Sequence, residues 1–425
     1  MRGMWQRWVA VFLLAMAAAH IVVAWQQREK ITQGYGDFSS LYTSGWMVRR
    51  GMGSRIYDLH AQWRVQQELF LHVEIRQGPM PFIRPPFESL LFVPFSYLTY
   101  PVALAAWSAL KFVLLWFALK ILPHEGPFLR AYPAWFETLL CLGFFPVYLD
   151  FFQGQDGVVL LLLFALALRS LNSHRDGRAG VFLALGLFKF HLVIPLVLVL
   201  MLTGRRRVLT GFVPTGMTLI GLSWLIAGTG VFRSYPVYLL ELNRAVGAGM
   251  VTAQSMTNLR GMLTVWTGRM PYPGPVHWML LPIAIGALWY TARIWSNRTG
   301  NPPLVLGYSL AIVTAILTSY YAHLYDLTLL LIPISLVGGS LIRYPSWTRV
   351  ASGLVLRAAF ILVLCTPLYW VLLIYGDRPY LLCLPLMLLA WGLAATLRNL
   401  PLVLATFATL PAGEHVGSGV PGAGL

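Results

Sequence analysis

Charge is scarce in this chain. Only 11% of its 425 residues are Asp, Glu, Lys or Arg, where a soluble domain carries roughly a quarter, so a conventional water-facing surface is excluded. Acid is scarcer still, with 15 Asp+Glu against 31 Lys+Arg and a formal charge of +16. Cysteine is nearly absent: Cys141, Cys365 and Cys383 all sit inside apolar runs, with neither metal-ligand spacing nor a disulfide framework. No Walker loop, G-x-S-x-G or H-E-x-x-H occurs, which leaves ATP-driven transport and soluble-type hydrolysis unsupported. No internal repeat is visible either, which argues against the inverted-repeat transporters.

Apolar residues fill the space that charge leaves. The chain is 58% hydrophobic with a mean hydropathy of +0.68. Apolar runs of about 17–25 residues recur from end to end, each long enough to cross hydrocarbon as a helix. They are continuous rather than alternating, which excludes a membrane β-barrel. The expected class is an all-α polytopic membrane protein with about 11–13 transmembrane segments, including re-entrant half-helices. The basic excess reads as short cytoplasmic loops and contact with anionic headgroups. No basic stripe with interleaved aromatics stands clear of the membrane, so membrane lipids are expected as partners and nucleic acid is not. The first apolar stretch, residues 9–25, reads as an uncleaved helix rather than a signal peptide.

Basic loops orient the spans. Residues 9–25 run outward, and 26–100 form a first external loop with interfacial helices. Runs at 101–121, 134–152 and 157–171 follow, with Arg130, Arg175 and Arg178 on the inner side. The run 179–202 is bounded by HRDGR and TGRRR, both expected inside. A run of that length cannot cross twice as full helices. A hairpin of half-helices broken near Phe190-His191 satisfies both loops and places Lys189 at its tip. Residues 208–228 run outward to a second external segment, 229–274. Spans at 275–295, 303–319, 325–342, 350–374 and 380–397 complete a single membrane domain over 1–410, with inner loops carrying Arg298, Arg343 and Arg349. The Gly/Pro-rich tail 411–425 reads as disordered. This threading gathers most polar residues able to do chemistry on the outer face.

Several of those residues are costly where they stand. Asp37 opens GDFSSLY, where Ser40 and Ser44 share one helix face and Phe38, Tyr42 and Trp46 another, the pattern of an interfacial helix. Asp37 reads either as the N-cap of that helix or as a working carboxylate. Arg84 precedes the rigid Pro85-Pro86 turn and Glu88 follows it; the arginine is aimed at a phosphate or snorkels to the interface. The QGQD break offers Gln153, Gln155 and Asp156 to a sugar ring, or is an ordinary loop. Lys189 lies in an otherwise apolar run, at an insertion cost of about 2.5–3.5 kcal/mol, so it faces a cavity or snorkels. His191 beside it shares that site or closes the turn. In YYAHLYD, His323 and Asp326 are close enough to share a face and hydrogen-bond, with Tyr325 between them. Asn258 and Arg260 add polar groups from the second external segment. No further His, Asp or Glu spacing completes a metal site. No metal or other cofactor is expected, and a divalent cation stays open.

In order along the chain stand Asp37-Phe38, Tyr42, Gly45, Gly51, Ile56-Tyr57-Asp58, Arg84-Pro85-Pro86-Phe87, Gly154-Gln155, an Ala-Gly ahead of Lys189, and His323-Leu324-Tyr325-Asp326. That ordered set, over roughly residues 35–335, resembles glycosyltransferase family 87, the mannosyltransferase-like polytopic enzymes of the C-type (GT-C) superfamily. The resemblance implies a GT-C-like fold in the plasma (inner) membrane and a polyprenyl-phosphate sugar donor, most simply of mannose. It further implies a lipid or glycan acceptor, inversion at the anomeric carbon and a site facing away from the cytoplasm. It also implies a catalytic acid residue from the first external loop, which here maps to Asp37. QGQD stands where the family commonly has Gly-Gln-Asn, and Phe follows Lys189 where Pro is common, which leaves the sugar and acceptor open. In such a transfer a base takes the acceptor proton, and fixed positive charge at Arg84, Lys189 and Arg260 meets the charge developing on the leaving phosphate. A transporter or flippase of a lipid-linked sugar is the alternative; it would use the same polar residues without needing a base.

Overall fold

The computed structural model describes residues 2–70, 78–125, 134–244, 253–267, 275–296, 301–338 and 351–399. The tail from 411 and the loops holding Arg130, Arg298, Arg343 and Arg349 lie outside them. The described residues are mostly helical and contain no strand. The chain is an all-α polytopic membrane protein.

Among the described residues, four helices are long and apolar enough to cross a bilayer: Arg7–Gln26, Tyr100–Leu122, Arg206–Ala227 and Pro379–Arg398. Three bent pairs bring the number to seven when each is taken as one span. Shorter apolar helices, Gly157–Asn172, Pro303–Thr318 and Leu324–Gly338, pack among them. Two runs that read as straight spans are broken. Trp135–Gly143 and Phe145–Gln153 meet at 68°, and Ala351–Leu364 and Thr366–Ile374 at 57°. Each second half begins with a proline in its first turn, Pro146 and Pro367, where the missing N–H has no partner to lose.

The break expected over 179–202 is present, with Asp176–Leu185 and Leu187–Leu202 bent by 65° and Arg205 Nη1, just past the second half, 3.1 Å from Asp176 Oδ1 at the start of the first. The break falls slightly earlier than Phe190-His191, in a 3-10 turn at Gly186–Lys189. A Cβ at Gly186 would lie 2.7 Å from Leu160 Cδ1, so a neighbouring helix occupies the space a side chain would need. Lys189 still closes the turn, fully buried.

The Phe38–Arg49 helix departs from its expected place. It is not an interfacial helix half in the headgroups, because Phe38 through Gly45 and Met47 are all buried. A Cβ on Gly45 would meet the Phe92 backbone at 2.5 Å, so the 89–97 turns lie directly against it. Ser40 and Ser44 face no site. Their hydroxyls donate to the Asp37 and Leu41 carbonyls of the helix itself, at 2.9 and 2.7 Å. Apolar periodicity cannot distinguish burial in lipid from burial in protein, and here protein covers the helix.

Candidate active site

The first loop is built to hold Arg84. Gln66 brackets Met80, accepting from its N–H and donating to its carbonyl, each at 2.8 Å. Gln62 Oε1 accepts from Phe82 N at 2.9 Å. Tyr235 Oη donates to the Ile83 carbonyl at 3.1 Å, and Tyr57 Oη to the Arg84 carbonyl at 2.8 Å. Tyr235 and Tyr238 pack on Tyr57, with ring centroids 4.9 and 5.1 Å away. Pro85 is extended and Pro86 opens the 3-10 turn that carries Glu88. The backbone around Arg84 is thus fixed before its guanidinium makes any contact.

That guanidinium points inward. Arg84 Nη2 donates to Gln155 Oε1 at 3.0 Å and to Asp156 Oδ1 at 3.3 Å, while Nε stands 3.9 Å from Glu88 Oε2. Gln155 Nε2 donates in turn to Asp37 Oδ2 at 2.6 Å. From Asp156 the chain of contacts continues to Lys189 Nζ at 2.7 Å, then to Asp326 Oδ1 at 2.6 Å. Asp326 Oδ2 accepts from the His323 backbone N–H at 2.9 Å. Asp37, Gln155, Arg84, Asp156, Lys189, Asp326 and His323 therefore form one connected network, drawn from separated stretches of sequence. Arg84 is 7% exposed and Lys189 0%, which removes snorkelling as an account of either.

Asp37 closes the outer end and is only half-buried. It sits at the N-cap position of the Phe38–Arg49 helix, yet its side chain makes no capping hydrogen bond. Its carboxylate is turned to Gln155 instead. The QGQD turn can present Gln155 and Asp156 together because Gly154 takes a left-handed φ of 67°, at a point where a Cβ would lie 2.5 Å from that of Phe38.

The remaining predicted residues flank the network. Tyr325 places its ring 5.2 Å from Lys189 Nζ, and the His323 ring lies 5.5 Å from that of Tyr325. The hydrogen bond expected between His323 and Asp326 runs through the histidine's backbone, not its ring. His191 packs edge-on to Tyr321 at 6.1 Å. Arg260 lies over Tyr320, 3.8 Å from its centroid, and donates to the Tyr320 carbonyl at 3.0 Å. Asn258 caps its own helix through Gly261 N and donates to the Ser319 carbonyl at 2.6 Å. Asn258 and Arg260 thus anchor the 319–323 stretch that leads into His323. A separate cavity of about 550 Å³, lined by Tyr42, Trp46, Arg49 and Tyr97 among others, includes no member of the network. Among the described residues, no three His, Cys, Asp or Glu side chains form a metal-ligating group.

The model of glycosyltransferase family 87 matches residues 82–319, more than half of the chain. The chain belongs to glycosyltransferase family 87. No curated protein and no solved structure matches it. The matched stretch takes in Arg84, Gln155, Asp156, Lys189, Asn258 and Arg260, while Asp37 and His323–Asp326 lie beyond its ends.

Charge in this family 87 protein is balanced inside the network. Burial pushes Asp156 up, but Arg84 and Lys189 outweigh it and hold the carboxyl below the usual carboxylate range. Burial also pushes Glu88 up, and the neighbouring Asp156 charge adds to it, so Glu88 stands well above its ordinary 4.5. Arg84 and Lys189 both take Asp156 Oδ1, and the protonated Glu88 carboxyl is the hydrogen-bond partner left to Asp156. A test follows from the sign. The folded Glu88 keeps a proton that the unfolded chain releases, so stability falls as pH rises above about 4.5, by at most about 1.4 kcal/mol per pH unit. Glu88→Gln copies the neutral acid without titrating. Its unfolding midpoint in detergent is expected above wild type at about pH 7–8, with the two converging near pH 4.5. A Gln variant less stable than wild type throughout would mean that the folded carboxyl is ionised.

Proposed function

We propose that this protein transfers a hexose, most simply mannose, from a polyprenyl-phosphate donor to a lipid or glycan acceptor, with inversion, on the extracytoplasmic face of the plasma membrane. Family membership supplies the reaction class, a membrane glycosyltransferase. The observation that carries the reading further is the network that begins at half-exposed Asp37 and ends among buried cations.

Asp37 takes the proton of the acceptor hydroxyl as that oxygen bonds to the anomeric carbon. The bond from that carbon to the phosphate oxygen breaks, and the lipid phosphate leaves as an anion, so no general acid is required. Gln155 occupies one Asp37 oxygen and leaves the other to the acceptor. Arg84 and Arg260 meet the donor phosphate, and Lys189 adds its field from behind, where Asp156 and Asp326 hold it. His191, His323 and Tyr325 offer ring faces and polar edges to the sugar.

Turnover of the purified protein with a panel of radiolabelled polyprenyl-phosphate hexoses and membrane-lipid acceptors tests the reaction. A flippase would move label across the bilayer without forming a glycosylated product. Sidedness has its own test at two exposed positions, Gln67 in the first external loop and Ser173 beside the basic loop. Cysteines placed there are expected to react with an impermeant thiol reagent from opposite sides. Labelling of both from one side would overturn the orientation.

A further inference from the structure

Lys111 and Asp150 form an ion pair outside the site network, and both are 0% exposed. Lys111 lies in the Tyr100–Glu125 helix and Asp150 in the Phe145–Gln153 half-helix, just before the QGQD turn. Lys111 Nζ donates to the Asp150 carbonyl at 2.8 Å and to Oδ1 at 3.1 Å. Those Asp150 groups also hold the turn. Its carbonyl accepts from Gln155 N at 2.9 Å, and its Oδ2 accepts from Gly157 N at 2.7 Å. Trp107, one helical turn before Lys111, donates its Nε1 to the Gly154 carbonyl at 2.9 Å. Gln155 N is thus tied to the Asp150 backbone carbonyl and Gly157 N to the Asp150 carboxylate, and Lys111 bonds both groups. Stability alone gives no reason for such a pair, since well-packed apolar residues of similar volume often serve a buried position equally well.

We propose that Asp150 is a positioning residue for the transfer site, with Lys111 as its buried counter-charge: the bond from Gly157 N to the Asp150 side chain sets the 153–157 turn so that Gln155 reaches both Asp37 and Arg84 while Asp156 reaches Lys189. The substrate side of this inference rests on the transferase reading above; the placement of the turn does not.

Two double variants separate positioning from packing. Lys111→Met with Asp150→Asn removes both charges but keeps an oxygen for Gly157 N. Lys111→Met with Asp150→Leu removes the charges and that oxygen. In the full-length protein, both are expected to fold with unfolding midpoints near wild type. The Asn double variant is expected to keep most of its kcat. The Leu double variant is expected to lose about 100-fold in kcat, the scale on which small misplacements of reacting groups act, with donor KM changed far less. A folded Leu variant with the turnover of the Asn variant would overturn the proposal. So would equal losses in both variants, because the Gly157 bond would then not be what matters. If the Leu variant fails to fold, Gly157→Ala replaces it. Its Cβ would overlap Asp150 Oδ2, pushing the carboxylate off the turn with the charges intact, and it carries the same expected loss of kcat; full activity there overturns the proposal.

A second readout needs no turnover. Cysteines at Asp37 and Gln155, bridged by a short bifunctional thiol reagent, are expected to cross-link efficiently in the Asn background and poorly in the Leu or Gly157→Ala background. Equal yields would overturn the positioning role whatever the substrate is. An inactive wild type that still shows this difference in yield would overturn the transferase reading alone.

Discussion

Lys189→Met is expected to destabilise the folded protein by about 3–5 kcal/mol, the usual result of removing one partner from a buried ion pair. Lys189 is fully buried and holds Asp156 and Asp326 at 2.7 and 2.6 Å. Without it, Asp156 keeps only Arg84 as a cation at 3.3 Å, and Asp326 keeps only the His323 N–H. Two buried carboxylates are then left short of positive charge. The methionine fills the volume, so the loss is one of charge rather than packing. Lys189→Met with Asp326→Asn should recover most of the stability, because the asparagine can still accept from His323 N while one stranded charge is gone. Thermal unfolding of wild type and both variants in one detergent makes the comparison. If Lys189→Met unfolds like wild type, the lysine is not the keystone of the network. This result bears on function too, since a loss of donor binding in Lys189→Met alone would report a damaged site, not a missing phosphate contact.

The sequence marked the expensive residues well and their partners poorly. Lys189 stood out because a cation in apolar sequence must be paired or face a cavity, and Arg84 because it precedes the rigid Pro85-Pro86 turn. Their partners lie far away along the chain: Asp156 is 72 residues from Arg84, and Asp326 is 137 from Lys189. A single sequence carries no signal that pairs residues at such separations. Asp156 read as one of three polar groups in a turn, yet it joins Arg84 to Lys189. Lys111 and Asp150 passed unremarked inside two spans, although the same cost argument applied to both. The all-α membrane class was fully legible, because hydropathy reads length and apolarity directly. The burial of the Phe38–Arg49 helix was not, because lipid and a protein interior ask for similar side chains. The bends at Phe144 and Cys365 had a local signal in the prolines that follow them, Pro146 and Pro367.

Asp37→Asn is expected to slow transfer by about 100- to 10,000-fold, or about 3–5 kcal/mol of barrier, which is what a positioned general base contributes. The substitution changes little else. Asparagine is the same size, and its Oδ1 can still accept from Gln155 Nε2, the contact that Asp37 Oδ2 makes at 2.6 Å. No helix cap is lost, because the Asp37 side chain caps nothing. Donor affinity and unfolding temperature should therefore stay at wild-type values while kcat falls, since the amide cannot take a proton. Asp37→Ala should fold as well, for the same reason, and be as slow. The comparison also separates the two functional classes. A protein that only moves a lipid-linked sugar across the membrane has no proton to abstract and should tolerate asparagine at this position. If Asp37→Asn retains most of its turnover, Asp37 is not the base. The search for one would then pass inward to Glu88, Asp156 and Asp326, each of which the structure buries and two of which it has already committed to Lys189. That prior commitment is the structural reason for expecting the half-exposed carboxylate at the end of the network to be the one that works.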